Sequence, residues 1–132
     1  MAEKTDERLI KGQQMLAAVD GQAAAATLHA LADVAPDVPR LIQEFAFGDI
    51  YTRAGLDLRQ REMITITALL IQGDTAGQLH VHIQGALHVG LTQQEIVETF
   101  IHCIPYIGFP RVLNALSAAR QVFAERSGQD GD

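Results

Sequence analysis

The residues of this sequence whose chemistry depends most on spacing are its five histidines, His29, His80, His82, His88 and His102. Two imidazoles on one helix can face a single metal ion only at i, i+3 or i+4. His80 and His82 are two apart, which puts them on opposite sides of a helix. His80 and His88 share a face but lie two turns, about 12 Å, apart. His29 and His102 have no histidine or cysteine at ligand spacing, so no metal site is expected. The chemistry left to a histidine is proton transfer, because an unperturbed imidazole titrates near neutrality. His82 is the candidate, since it lies beside an apolar stripe of Leu79, Ile83, Ala86 and Leu87, one turn from Gln78 and Ala86. A histidine there also suits a hydrogen-bonded packing seam, and spacing leaves both readings open.

Other pairs are less specific. Glu98 and His102 are four apart, so the carboxylate can hold that imidazole in one orientation, as in many surface pairs worth roughly 0.2–0.5 kcal/mol. Arg59 and Glu62, at i and i+3, have the same plain explanation. Arg53 differs because it sits in a linker and is followed by Gly55. A loop arginine there can stay solvated or point into a cleft and clamp a carboxylate through its planar fork. Cys103 lies in an apolar run and reads as buried rather than nucleophilic. As the single cysteine it excludes an intramolecular disulfide, which fits a reducing compartment.

The elements that must position these residues are helices. Helical periodicity runs through almost the whole chain and strand patterns are nearly absent, so the expected fold class is all-α, with six or seven helices. A first helix spans Asp6 to Val19, with Gly21 as its stop. An Ala-rich helix follows from Gln22 to Val34 and closes at Ala35-Pro36. A third runs from Asp37 to Tyr51. After the linker Thr52 to Gly55, Asp57 reads as the N-cap of a helix from Leu58 to about Ile71. The helix carrying His82 spans Thr75 to Val89, with Gly90 placed for a left-handed conformation. Thr92-Gln93-Gln94-Glu95 is a capping box that opens a helix to about Ile104. Pro110 opens the last helix, Arg111 to about Glu125, and a polar tail begins near residue 127.

The bulk properties bound the function. A chain of 132 residues, 48% apolar and 20% charged, fits one globular domain over residues 1–132. Its net charge of −6 argues against a nucleic-acid surface. An anionic small-molecule substrate requires local arginine or histidine to reverse that field. The charged segment Met1 to Arg8 lacks the apolar core of a signal peptide. The longest apolar stretch, Ile64 to Ile71, is interrupted by Thr65 and Thr67 and is too short to cross a bilayer. A cytoplasmic protein without membrane or nucleic-acid partners is expected.

Several fragments, taken in order, resemble the carboxymuconolactone decarboxylase family. They are Phe47-Gly48-Asp49-Ile50-Tyr51-Thr52-Arg53-Ala54-Gly55-Leu56, Arg61-Glu62-Met63-Ile64-Thr65-Ile66 and Gln78-Leu79-His80-Val81-His82-Ile83-Gln84-Gly85-Ala86. Gly90-Leu91-Thr92-Gln93-Gln94-Glu95-Ile96, His102 and Tyr106-Ile107-Gly108-Phe109-Pro110 complete the set. The resemblance implies an alkylhydroperoxidase-like helical bundle with a central antiparallel helix hairpin. It also implies a homo-oligomer, hexamer or trimer. Peroxidase-type relatives carry C-x-x-C-x-x-x-H on the central helix. Aligned on His82, the two cysteine positions fall at Thr75 and Gln78, so a redox cysteine pair is absent.

The chain therefore resembles the decarboxylase branch, which keeps the histidine without the thiols. Its substrate, 4-carboxymuconolactone, is a butenolide that loses carbon dioxide as electrons pass through the ring double bond to the lactone carbonyl. The lactone is its own electron sink, so no cofactor is implied. The protein holds the carboxylates, stabilises the oxyanion and protonates carbon. The resemblance assigns His82 to proton donation or the oxyanion and Arg53 to a carboxylate, with Tyr51, Glu62, His102 and Tyr106 as further pocket candidates. Two other readings are a thiol-independent member of the hydroperoxidase-like group and a non-catalytic oligomeric protein that binds small molecules.

Overall fold

The computed structural model describes residues 2–21 and 23–129, with side chains over 7–21 and 26–128. Helix runs through nearly all of them and no strand forms among the described residues, as an all-α chain requires. Two compact units divide the chain, Met1–Leu58 and Arg59–Asp132.

The first unit opens with α1 (Ala2–Asp20), which starts four residues before the expected Asp6. Gly21 stops it at φ +63°, a conformation that only glycine adopts without steric cost. Helix α2 covers Ala23–His29. Its expected continuation to Val34 tightens instead, with the N–H groups of Leu31, Ala32 and Val34 bonding three residues back. Bonds of that span belong to 3₁₀-type turns, so alanine propensity does not carry the α-helix as far as Pro36. Gln22, the expected start, lies outside the described residues.

Helix α3 (Asp37–Leu41) passes directly into a π-helix, Ile42–Ile50. The expected single α-helix is right in extent and wrong in register. Tyr51 N–H, for example, donates to the Ala46 carbonyl five residues back at 3.0 Å. Helix α1 crosses this segment backbone to backbone. A Cβ at Gly12 would overlap the Gln43 carbonyl oxygen, and one at Gly48 would stand 2.7 Å from the Arg8 carbonyl oxygen. Arg8 closes the crossing by donating to both carboxylate oxygens of Asp49, at 3.1 and 2.7 Å. That hydrogen bonding holds the Asp49 carboxyl below its ordinary value.

In the second unit, α4 (Leu58–Gln72) and α5 (Ala76–His88) form the expected hairpin. The chain reverses through Gly73 (φ +72°) and Asp74 (φ +55°). Thr75 closes the turn by donating its hydroxyl to the Leu69 carbonyl of α4, rather than capping α5. Gly90 turns the chain at φ +109° into α6 (Gln93–His102). The capping box forms there. Glu95 N–H donates to Thr92 Oγ1 at 3.0 Å, and Thr92 N–H donates to Glu95 Oε1 at 2.9 Å.

Helix α6 ends at His102, two residues before the expected Ile104, because Pro105 brings no N–H and its ring clashes inside a helix. After Cys103, α7 (Ile104–Ile107) runs to Gly108 at φ +92°. Helix α8 (Phe109–Gln129) starts two residues early, with Pro110 in its first turn, and continues into the expected polar tail. Residues 130–132 of that tail lie outside the described residues. The core of this unit joins Ile66 and Leu70 of α4, Ile83 of α5, Phe100 of α6, and Val112 and Val122 of α8. Each such side chain contributes about 1.5–3 kcal/mol by leaving water. Alanines 86, 115 and 119, also fully or almost fully buried, let the backbones approach. No helix among the described residues is long and apolar enough to cross a membrane.

Candidate active site

Glu62 occupies an unusual place on α4. It is one turn from Ile66 and two from Leu70, so the inward stripe that builds the core also carries a carboxylate. Its relative exposure is 0%, the same as Ile66. A carboxylate removed from water needs a charged or hydrogen-bonding partner. Helix α5 supplies one. His82, beside the buried Leu79, Ile83 and Ala86, places its Nδ1 3.2 Å from Glu62 Oε2. The His82 side chain keeps 16% of its exposure. The contact engages Nδ1 of the ring, and which partner donates follows the imidazole tautomer.

The other histidines near this helix go elsewhere. His80 Nε2 meets Glu125 Oε2 of α8 at 2.8 Å, in keeping with opposite sides of α5. His102 makes no hydrogen bond with Glu98 among the described residues. Its ring leans on Tyr106 instead, with centroids 5.7 Å apart and planes tilted by 44°. An open groove of about 450 Å³ runs past His102, Glu98 and Thr99 of α6 and Met63 and Thr67 of α4. Met63 and Thr67 follow Glu62 and Ile66 by one residue, so groove and His82–Glu62 pair occupy neighbouring faces of α4. The structure thus joins His82 to Glu62 and His102 to Tyr106, as two separate pairs.

Tyr51 and Arg53 belong to the first unit. Tyr51 stacks on Phe47 at 4.5 Å between centroids. Arg53 is exposed in the loop after the π-helix, its N–H donating to the Ile50 carbonyl at 3.1 Å, so its place in a linker is as expected.

One further sequence reading needs correction here. Arg59 does not pair with Glu62. It reaches across to α6 and donates to both Glu95 oxygens, at 2.9 and 2.7 Å. Glu62 faces inward because its stripe is 62, 66 and 70, whereas Arg59 is exposed. That stripe was the signal for an interior carboxylate. The sulfur chemistry follows the sequence reading. Cys103 is buried, its thiol donates to the Thr99 carbonyl at 3.4 Å, and burial pushes its pKa up. A thiol held protonated in this way is a poor nucleophile.

The family model "Carboxymuconolactone decarboxylase family" matches residues 36–121, a span that holds Arg53, Glu62, His82 and His102. A 4-carboxymuconolactone decarboxylase of Acinetobacter baylyi is 32% identical over 99 residues, 75% of this chain and 73% of the relative. An uncharacterized 15.0 kDa protein of Paracoccus denitrificans is 33% identical over 120 residues, 90% of each chain. A nitrosuccinic acid decarboxylase of Metarhizium robertsii is 37% identical over 76 residues, 58% of this chain and 52% of that one. With a family model matching well over half of its length, this chain belongs to the carboxymuconolactone decarboxylase family.

Proposed function

We propose that this protein is a cofactor-independent decarboxylase of a small organic acid, with His82 as its proton-handling group. The observation that carries the reading is the buried Glu62 carboxylate held against His82 Nδ1 at 3.2 Å. That bond sets the imidazole's tautomer and orientation and stabilises the imidazolium when Nε2 is protonated. Loss of carbon dioxide leaves an electron pair on the substrate. Nε2–H then protonates the resulting carbanion or donates a hydrogen bond to the oxygen that takes its charge. Arg53 is the proposed carboxylate clamp, through its bidentate fork.

The relatives' names narrow the substrate class. One acts on carboxymuconolactone and another on nitrosuccinic acid. In both acids, a group within the molecule can take the electrons that carbon dioxide leaves behind: a conjugated lactone carbonyl in one, a nitro group in the other. The proposed substrate is an acid built the same way, so the protein need only place it and manage one proton. Self-association into a trimer or hexamer is part of the same proposal, supported by the exposed Ile64 and Ile71 along α4.

The test is carbon dioxide release from 4-carboxymuconolactone and from nitrosuccinate, by the wild type and by His82→Ala with matched circular dichroism. Turnover of one substrate by the wild type, lowered by about 10²–10⁴ in the variant, is expected. Equal rates would remove His82 from the mechanism, and turnover of neither acid would overturn the substrate class.

A further inference from the structure

We propose that the second unit carries a separate binding site for small monocarboxylates, in the cavity between the α4–α5 turn and the first three turns of α8. The cavity encloses about 320 Å³, within the range of small-molecule sites. Its floor is apolar, formed by Leu70, Leu79 and Ala118, all buried. Its wall is a polar stripe of Arg111, Asn114, Ser117 and Gln121 on α8, spaced three, three and four residues apart as one helix face requires. Among the described residues, none of these four side chains enters an ion pair or hydrogen bond.

The arginine lies over the turn. A Cβ at Gly73 would stand 2.7 Å from Arg111 Nε, and Gly73 also has φ +72°. The positive φ favours glycine there, and the absence of a side chain leaves room for the guanidinium to lie over the turn. A planar guanidinium takes a carboxylate through two parallel hydrogen bonds. Asn114, Ser117 and Gln121 add donors and acceptors along the wall, while the floor accepts a ring or short hydrocarbon. Asp74 also lines the cavity, and its charge opposes a second negative charge on the ligand. The chemistry selects a monocarboxylate with an apolar body over a dicarboxylate or an inorganic dianion.

Titration of the ¹⁵N-labelled full chain with benzoate, followed at the Gly73, Asn114 and Ser117 amides, tests this. Saturable shifts are expected at all three. Arg111→Gln, an exposed position, should weaken benzoate by roughly tenfold or more while leaving carbon dioxide release unchanged. Benzamide keeps the ring without the charge, and sulfate keeps charge without the ring; both should bind more weakly than benzoate. Asp74→Asn should raise the affinity for succinate more than that for benzoate, and asparagine tolerates the positive φ there. The site is overturned if the three amides fail to saturate, if benzamide or sulfate equals benzoate, or if Arg111→Gln binds as the wild type does.

Discussion

The chemistry of the proposed site rests on one placement, a glutamate at a position that helical spacing reserves for a core residue. Glu62 is as buried as Ile66, and such a position is tolerated only where the carboxylate is hydrogen-bonded. The Nδ1 of His82 meets that need and in return gains a fixed orientation. Glu62→Gln keeps the volume and one accepting oxygen but removes the charge that stabilises an imidazolium. The variant is expected to lose on the order of 10²-fold in kcat, with KM nearly unchanged, since Glu62 acts through His82 rather than on substrate. Steady-state kinetics with whichever acid the wild type turns over would show this, and an unaltered kcat would reduce Glu62 to a structural role. His82 was legible in the sequence as the histidine beside an apolar stripe. Its partner was not, because Arg59 offered a plausible local pair and only the fold shows that Arg59 turns to Glu95.

At the scale of elements, glycines decide where backbones can meet. Gly12 and Gly48 let α1 cross the π-helix with no side chain between them. In a helix interior each costs about 1 kcal/mol relative to alanine, a cost offset by the close crossing. Gly12→Ala should therefore destabilise the protein by about 3 kcal/mol or more, because the obstacle is a carbonyl rather than a movable side chain. Gly77→Ala in α5 should have the opposite sign. A Cβ there meets nothing within 4 Å, so the gain is roughly 0.4–1 kcal/mol. Urea denaturation of the two variants measures both, and a stabilising Gly12→Ala would contradict the crossing. The π-helix itself was hidden from the sequence. Its apolar residues fit an α-helical period well enough, and the extra residue per turn appears only in the bonding register.

The whole molecule depends on pH through carboxylates that its ion pairs hold ionised. The Glu95 carboxyl lies below its ordinary value, first through the Thr92 N–H and then through Arg59. Asp49 is held low by Arg8. A carboxyl whose folded pKa is depressed adds stability above its unfolded value, near 4, and loses it as pH falls through the folded value. Thermal stability should thus decline on acidification. Glu95→Gln should shrink the drop in Tm between about pH 7 and about pH 3, whereas an unchanged drop would mean that this carboxylate is not part of the acid response. Light scattering tests the proposed self-association. A mass three or six times that of the 14.3 kDa chain is expected, and a monomer would overturn it.

What the sequence determined by itself was the class of structure and the cast of residues. Period and capping rest on neighbours along the chain, so the all-α fold, the Thr92–Glu95 box and the glycine turns at 21 and 90 could all be read directly, while the α4–α5 hairpin came from the family resemblance. The absence of thiols at Thr75 and Gln78, with Cys103 an unlikely nucleophile, was equally local. Pairing was decided by tertiary structure. His82 chose Glu62, twenty residues away, His80 chose Glu125, and His102 turned from Glu98 to Tyr106. Helical spacing says which residues can be neighbours on one element. Which of them meet across elements depends on packing, because burial forces each polar group to take whatever partner the opposing helix presents.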